Sequence, residues 1–158
     1  MEGCLKIYIA TSWKCEDWAK LIAQLLRVDG HEVDCFCDAS TGRYCFKWTD
    51  HFNDIKEANV FSFLALPDAI ALTAGVDMQK FGFWFVVRAW ADAVLMLYPC
   101  GNSAHLEAGY AKGSGKLLFI YGQFPDGYFE NMYGFADAIF DPDQLDDLRC
   151  VLMKENQS

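Results

Sequence analysis

Ala91 to Lys116 reads ADAVLMLYPCGNSAHLEAGYAKGSGK, and this stretch contains the clearest signal for a fold class in the sequence. Its apolar run, 92–98, carries no charge after Asp92 and stops at Pro99. Such a run predicts a strand that is covered on both faces, as in a parallel sheet. A short turn over 100–103 leads into a helical pattern over 104–111. The helix would therefore begin at the carboxyl edge of the sheet, where open α/β sheets bind small ligands.

Glu107 is the acidic residue of this helix. A capping box requires an acid three residues after the capping serine or threonine, whereas Glu107 follows Ser103 by four. As a first-turn carboxylate it would be held ionised by the helix macrodipole, and an ionised carboxylate is what nucleophilic attack requires. Spacing alone leaves a catalytic role and a surface or capping role both open.

The composition predicts one globular domain, residues 1–158, with a single core. The hydrophobic fraction of 53% and the aromatic fraction of 16% are high, so we expect an aromatic-lined cleft or a subunit interface, and a homo-oligomer of two or more subunits. The net charge of −9 argues against binding of nucleic acid through its phosphates. A small-molecule partner fits better.

The sequence also predicts a compartment. The N-terminus shows no charged leader before a long apolar run, and no segment reaches the ~18 apolar residues of a membrane span. Seven cysteines without paired C-x-x-C spacing favour free thiols in a reducing compartment, so we expect a cytoplasmic protein. A zinc site built from Cys35, Cys37, Cys45 and Cys100 is a weak alternative. We expect no metal and no cofactor.

Strand and helix patterns alternate along the whole chain. The predicted strands are 5–10, 31–37, 92–98, 116–121 and 136–140, and helices are predicted over 11–28, 104–111 and 143–153. Residues 38–50 predict an aromatic loop folded over a pocket, 51–90 a mostly helical region with breaks at Pro67 and Gly75, and 122–133 a loop with a short helix. This order predicts an α/β fold with a doubly wound parallel sheet of five strands.

Several segments together resemble one known family. They are YIATSWK at 8–14, GHEVDCFC at 30–37, CFKW at 45–48, LYPCGNSAHLEAG at 97–109 and ENMY at 130–133. In this order they resemble a small, divergent branch of the nucleoside 2-deoxyribosyltransferase-like superfamily. The resemblance implies a flavodoxin-like sheet with helices on both faces. It also implies cleavage or transfer at the N-glycosidic bond of a nucleoside or nucleotide.

The resemblance assigns the nucleophile to Glu107. In that family the corresponding glutamate attacks the anomeric carbon, displaces the base and holds the sugar as an ester until a second base or water takes it. This double displacement retains the anomeric configuration, as in retaining glycosidases. Tyr8 would orient the carboxylate through its hydroxyl, and its alternative role is an aromatic packed in the core.

The remaining implied site residues bind the substrate. The backbone amides of Thr11, Ser12 and Trp13 would hold a sugar hydroxyl or a phosphate, and Lys14 would supply a charge for a 5′-phosphate or remain a solvated surface residue. Phe46 and Trp48 would stack on a base or pack in the core. Asn102 and Ser103 would bind the sugar or cap the helix. Glu130 and Met132 would reach into the site of a neighbouring subunit.

Four positions in three segments depart from the family pattern. Trp84 stands where the branch has the aspartate that protonates or polarises the departing base, and Asp77 is the nearest upstream carboxylate. Cys35-Phe-Cys37 replaces D-F-R, and Asn102 replaces an arginine. Two other functions therefore remain open, a non-catalytic nucleotide-binding or sensing module and an NAD glycohydrolase related to Toll/interleukin-receptor-type domains. A purely structural role is a further alternative.

Overall fold

Five parallel strands form one sheet in the computed structural model, which describes residues 4–41, 90–127 and 130–155. The strands are β1 (Lys6–Ala10), β2 (Glu32–Cys35), β3 (Ala93–Tyr98), β4 (Leu117–Gly122) and β5 (Ala138–Phe140). Their spatial order is β2-β1-β3-β4-β5. This is the flavodoxin-like order of a doubly wound sheet. The predicted α/β fold class is confirmed.

Within the described ranges, three helices cover the two faces of the sheet. They are α1 (Glu16–Val28), α2 (Asn102–Gly113) and α3 (Leu145–Glu155). On one face, α1 and α3 pack side chains such as Ile22 and Leu148 against β1 and β4. On the other face, α2 packs Ala104, Ala108 and Ala111 against the sheet. Both faces are thus buried, which explains why β3 is a continuous apolar run.

Two glycines are required where chain segments turn or approach closely. Gly30 follows the end of α1 with φ of 92°, a left-handed conformation that terminates a helix at low cost. Gly122 closes β4 with φ of 152°, and a Cβ there would overlap the Tyr98 carbonyl group at the end of β3. The helix predicted over 11–28 therefore ends at the predicted residue, Val28.

The structure shifts two predicted helix starts. The helix predicted over 11–28 begins as a 3₁₀ turn, Trp13–Cys15, before α1. The helix predicted from Ala104 begins at Asn102, with Gly101 as its N-cap residue. Glu107 is then the sixth residue of α2, and the first turn holds no acid. The expectation that Glu107 is a first-turn carboxylate held by the macrodipole is wrong, because that effect falls off within the first turn.

Short 3₁₀ segments complete the described chain at Ala39–Thr41, Asn131–Phe135 and Pro142–Gln144. Within the described ranges, no helix has both the length and the apolar character needed to cross a bilayer. Several predictions lie outside those ranges. They concern the aromatic loop with Phe46 and Trp48, the helical region 51–90 apart from its last residue, and the positions of Asp77 and Trp84.

Candidate functional site

The carboxyl ends of β1 and β3 form a topological switch point. β1 leads into α1 on one face of the sheet, whereas its neighbour β3 leads into α2 on the opposite face. Two helices that leave adjacent strands on opposite faces open a crevice at the sheet edge, and ligands of open α/β folds bind in such crevices. The residues after β1 and β3 are therefore the first candidates for a site.

Two hydrogen bonds join the strand ends at this crevice. The Thr11 hydroxyl donates to the Leu97 carbonyl oxygen at 3.4 Å, and the Cys15 thiol donates to the Pro99 carbonyl oxygen at 3.2 Å. Thr11 is buried. Its hydroxyl is therefore part of the scaffold that holds β1 beside β3, and Cys15 is a residue of the crevice that the sequence did not single out for this role.

The turn after β1 is organised by its own side chains. Ser12 is the N-cap residue of the 3₁₀ turn, and its hydroxyl oxygen accepts a hydrogen bond from the Lys14 amide at 3.3 Å. Trp13 packs edge-on against Phe36, with ring centroids 5.1 Å apart. The Lys14 side chain is exposed. Of this group, Lys14 is therefore the side chain that can extend toward a charged ligand.

Glu107 lies half-buried on the second turn of α2 and acts electrostatically on the crevice. Burial, the Cys15 thiol and the Glu107 carboxylate raise the pKa of Cys100 to about 12. Cys100 directly follows Pro99 at the end of β3. The charge of Glu107 thus acts on a thiol just beyond the end of β3, and the protonated Cys100 thiol is a poor nucleophile there.

Tyr8 lies within β1, not at its end, and pairs with Val94 of β3. It is 1% exposed and belongs to the core on the α2 face. Tyr8 lies two residues before the end of β1, and Glu107 lies five residues into the helix that covers this face. Both residues therefore belong to the same face of the sheet.

His105 has both ring nitrogens in hydrogen bonds. Nδ1 lies 2.9 Å from the Gly101 carbonyl oxygen, and Nε2 lies 2.9 Å from the Tyr133 hydroxyl. Because a carbonyl oxygen can only accept, Nδ1 carries a proton and donates, and in the neutral ring Nε2 accepts from Tyr133. Both hydrogen bonds hold the ring in place between the start of α2 and Tyr133. Sequence spacing held no signal for the Tyr133 partner.

A cavity of about 1100 Å³ lies on the other flank of α2. Its floor is formed by Met96, Leu118 and Ile120, and Asn102, Glu130 and Met132 are among its lining residues. Glu107 does not line it. At 3.6 residues per turn, Glu107 is rotated by about 200° from His105, which does line the cavity. The structure thus separates Glu130 and Met132 from Glu107 within one chain.

The two polar residues at the start of α2 do not cap it. Asn102 and Ser103 are exposed in the first turn, and Gly101 makes no side-chain capping bond. The capping alternative for these residues is wrong, because the helix begins at Asn102 itself. Glu130 instead caps the 3₁₀ segment, where its carboxylate accepts from the Met132 amide at 3.4 Å.

In the described part of the chain, no three histidine, cysteine, aspartate or glutamate residues cluster as metal ligands. Cys45, a member of the weak zinc alternative, lies outside that part.

Comparisons of the chain with protein-family models, with curated proteins and with solved structures find no match.

Proposed function

We propose that this protein cleaves or transfers at the N-glycosidic bond of a nucleoside or nucleotide, with Glu107 as the nucleophile. The observation that carries the proposal is the half-buried position of Glu107 on α2, where its charge helps to raise the pKa of Cys100 just after β3. The resemblance of 97–109 to the nucleoside 2-deoxyribosyltransferase-like superfamily supports the same residue.

The reaction follows from a carboxylate beside an anomeric carbon. A Glu107 oxygen attacks C1′, the C1′–N bond to the base breaks, and the electron pair leaves with the base nitrogen, which gains a proton. The resulting glycosyl ester is then attacked at C1′ by water or by a second base, which releases the carboxylate. Two inversions give net retention.

Tyr8 is the proposed positioning residue for the nucleophile. Its ring lies in the core on the face of the sheet that α2, the helix of Glu107, covers. A buried hydroxyl needs a hydrogen-bond partner, and a carboxylate is a strong acceptor. A bond from Tyr8 would hold Glu107 in one orientation for attack, so loss of the hydroxyl would lower the rate more than it lowers substrate affinity.

Substrate binding is proposed for the turn after β1 and the start of α2. The Ser12 and Trp13 amides lie in the first turn of the 3₁₀ segment, and exposed Lys14 can pair with a 5′-phosphate. Asn102 and Ser103 are exposed and available for sugar hydroxyls. Phe46 and Trp48, proposed to stack on the base, lie outside the described residues.

Glu130 and Met132 are proposed to serve the site of a second subunit. They line the cavity on the far flank of α2, away from Glu107 of their own chain. Leu106, Met132 and Phe135 are exposed on that side by 74%, 61% and 58%. A homo-oligomer would bury these apolar side chains, and it would let Glu130 and Met132 act at a distance from their own crevice.

The test is base release from a panel of nucleosides, 5′-monophosphates and NAD, followed by chromatography. We expect release by the native protein and none by Glu107→Gln. Glu32→Gln, an exposed glutamate on β2, is the matched control and should retain activity. Intact-mass spectrometry should detect a glycosyl adduct on the native protein but not on Glu107→Gln. No release from any compound by folded protein would refute the proposal for those substrates.

A non-catalytic nucleotide-binding module is the second candidate, favoured by Trp84 at the expected position of the acid. In that case a nucleotide would raise the melting temperature of the native protein without base release. NAD cleavage with loss of nicotinamide, and no release from the other compounds, would instead indicate the glycohydrolase alternative.

A further inference from the structure

Cys35 and Cys37 hold their sulfur atoms 3.1 Å apart. Cys35 is the last residue of β2, and Cys37 lies in the turn that follows. The turn is closed by the Asp38 amide, which donates to the Cys35 carbonyl oxygen at 3.0 Å, and both thiols belong to the core on the α1 face. They are 0% and 2% exposed. The pair is therefore enclosed and aligned by the backbone.

This separation is short for two unbonded thiols. A disulfide has a sulfur–sulfur distance of about 2.05 Å, so closure requires an approach of about 1 Å. Within the described ranges, no third metal-binding side chain joins the pair. Two thiols this close together, without further metal ligands beside them in the described residues, are positioned to form a disulfide on oxidation.

The two thiols differ in acidity. The hydrogen bond from Cys37 lowers the pKa of Cys35, because it stabilises the thiolate. The same bond and burial raise the pKa of Cys37. Cys35 is therefore the thiol that ionises first and attacks an oxidant, and Cys37 is placed to attack the oxidised sulfur.

We propose that Cys35 and Cys37 are a redox modification site that hydrogen peroxide converts to an intrachain disulfide. The Cys35 sulfur attacks one peroxide oxygen, the O–O bond breaks, and a sulfenic acid and water form. The Cys37 sulfur then attacks the sulfenic sulfur, the S–O bond breaks, and a second water leaves with the Cys37 proton. The two thiols lose two electrons and the peroxide gains them.

Disulfide closure acts on the crevice through Phe36. This residue lies between the two cysteines, and its ring packs against Trp13 in the turn after β1. Beyond Cys37 the chain is held by the ion pair of Asp38 with Arg27 at 2.6 Å and by the Ser40 amide on Asp38 at 3.0 Å. With that end held, the strain of ring closure falls on the Phe36 peptide and shifts the Trp13 contact. The effect on catalysis rests on the proposed function, whereas disulfide formation does not.

The experiment treats the full-length protein with hydrogen peroxide, adds catalase, denatures in iodoacetamide and digests with trypsin without reductant. The tryptic peptide 28–43 contains Cys35 and Cys37 and no other cysteine. We expect it unalkylated and lighter than the dithiol peptide by two hydrogens, and dithiothreitol should restore alkylation of both thiols. The exposed Cys150 reports that the oxidant reached the protein.

Recovery of the peptide with both thiols alkylated, or with extra oxygens on one sulfur, while Cys150 is oxidised would overturn the proposal. Cys37→Ala should prevent formation of the disulfide in this peptide. Cys15→Ser is the control, because Cys15 lies outside the pair, and it should leave disulfide formation unchanged. Base release, where present, should change on oxidation of the native protein and not of Cys37→Ala. An unchanged rate beside a formed disulfide would refute only the coupling to the crevice.

Discussion

The Tyr133 hydroxyl lies 2.9 Å from Nε2 of His105, and this bond joins the 3₁₀ segment Asn131–Phe135 to α2. The two residues are 28 positions apart in the chain. Tyr133 is 5% exposed and packs against Phe124, whose ring stacks on Tyr98 at the end of β3. One hydrogen bond and a row of aromatic rings thus fix the segment that carries Glu130 and Met132.

Tyr133→Phe should destabilise the protein by about 1 kcal/mol, because it removes the hydroxyl and leaves His105 Nε2 without this donor. Urea unfolding measures the change. A double-mutant cycle with His105→Ala isolates the pair, and we expect the second substitution to cost less in the presence of the first. Additive effects of the two substitutions would contradict the bond.

Cys100 should react slowly with iodoacetamide. Burial, the Cys15 thiol and Glu107 raise its pKa to about 12, so little thiolate exists at neutral pH and iodoacetamide should modify Cys100 far more slowly than exposed Cys150. Glu107→Gln removes one negative charge and should speed Cys100 modification by a few-fold. Peptide mapping over time gives both rates.

Glu32→Gln is the control for that experiment, because Glu32 is exposed on β2 at the amino end of the sheet. It should leave the Cys100 rate unchanged. Equal rates in native protein and Glu107→Gln would show that the carboxylate does not face the end of β3, whatever the outcome of the base-release assay.

Arg149→Met should reduce the free energy of unfolding by about 2 kcal/mol at pH 7, because Arg149 donates two charged hydrogen bonds to Asp29, at 2.6 and 2.7 Å. Those bonds lower the pKa of Asp29 below its ordinary value of 3.8. A carboxyl whose pKa is lower in the folded than in the unfolded protein stabilises the fold at pH values above its unfolded-state pKa. This contribution is lost as the pH falls through the folded-state pKa. The loss of unfolding free energy caused by Arg149→Met should therefore become smaller below about pH 4.

Lys154→Met, an exposed position on the same helix, is the matched control and should change stability by less than about 0.5 kcal/mol. Asp29→Asn combined with Arg149→Met should cost less than Arg149→Met alone, because the single variant leaves a buried carboxylate unpaired. A deficit for Arg149→Met that is equal at pH 7 and pH 3.5 would refute the role given to Asp29.

His31 should make the protein less stable in mild acid. Among the described residues, neither of its buried ring nitrogens has a hydrogen-bond partner. Burial lowers its pKa below the ordinary 6.5, although nearby Asp29 opposes the shift. Below pH 6.5, His31 therefore binds a proton in the unfolded chain but not in the folded protein. The free energy of unfolding falls as the pH is lowered, until the pKa of His31 in the folded protein is reached.

His31→Leu should remove this part of the pH dependence. Urea unfolding at pH 7.5 and pH 5.5 should show a loss of up to about 1 kcal/mol between the two pH values in native protein, and a smaller loss in His31→Leu. His51 and His105 are present in both proteins, so the difference between them isolates His31. The same loss in both proteins would contradict the prediction.

Local patterns predicted the elements more reliably than their ends. All five strands lie within the predicted ranges to within a residue, because most are short, mainly apolar runs, and some have a clear end such as Pro99 after β3 or Gly122 at the end of β4. The start of α2 was placed two residues late. Asn102 and Ser103 favour turns and helix ends alike, so their types do not distinguish a loop from a first helical turn.

The sequence also identified some residues of the candidate site and not others. Glu107 could be singled out from its helix at the sheet edge, and Lys14 from the turn after β1. The involvement of Cys15 could not be predicted, since its bond to the Pro99 carbonyl joins residues 84 positions apart. The sequence also could not predict that the His31 ring nitrogens are buried without hydrogen-bond partners among the described residues, because burial at a turn depends on how α1 and the strands pack around it.

Hydrophobic periodicity and chain breaks are local properties, so the alternation of strands and helices and the helix that carries Glu107 could be predicted from the sequence. The surroundings of α2 could not, because they depend on packing: Glu130 and Met132 line a cavity beside α2 that Glu107 does not line. A sequence gives the angles between residues on one helix. The packing of α2 against a sheet of order β2-β1-β3-β4-β5 decides what each flank meets.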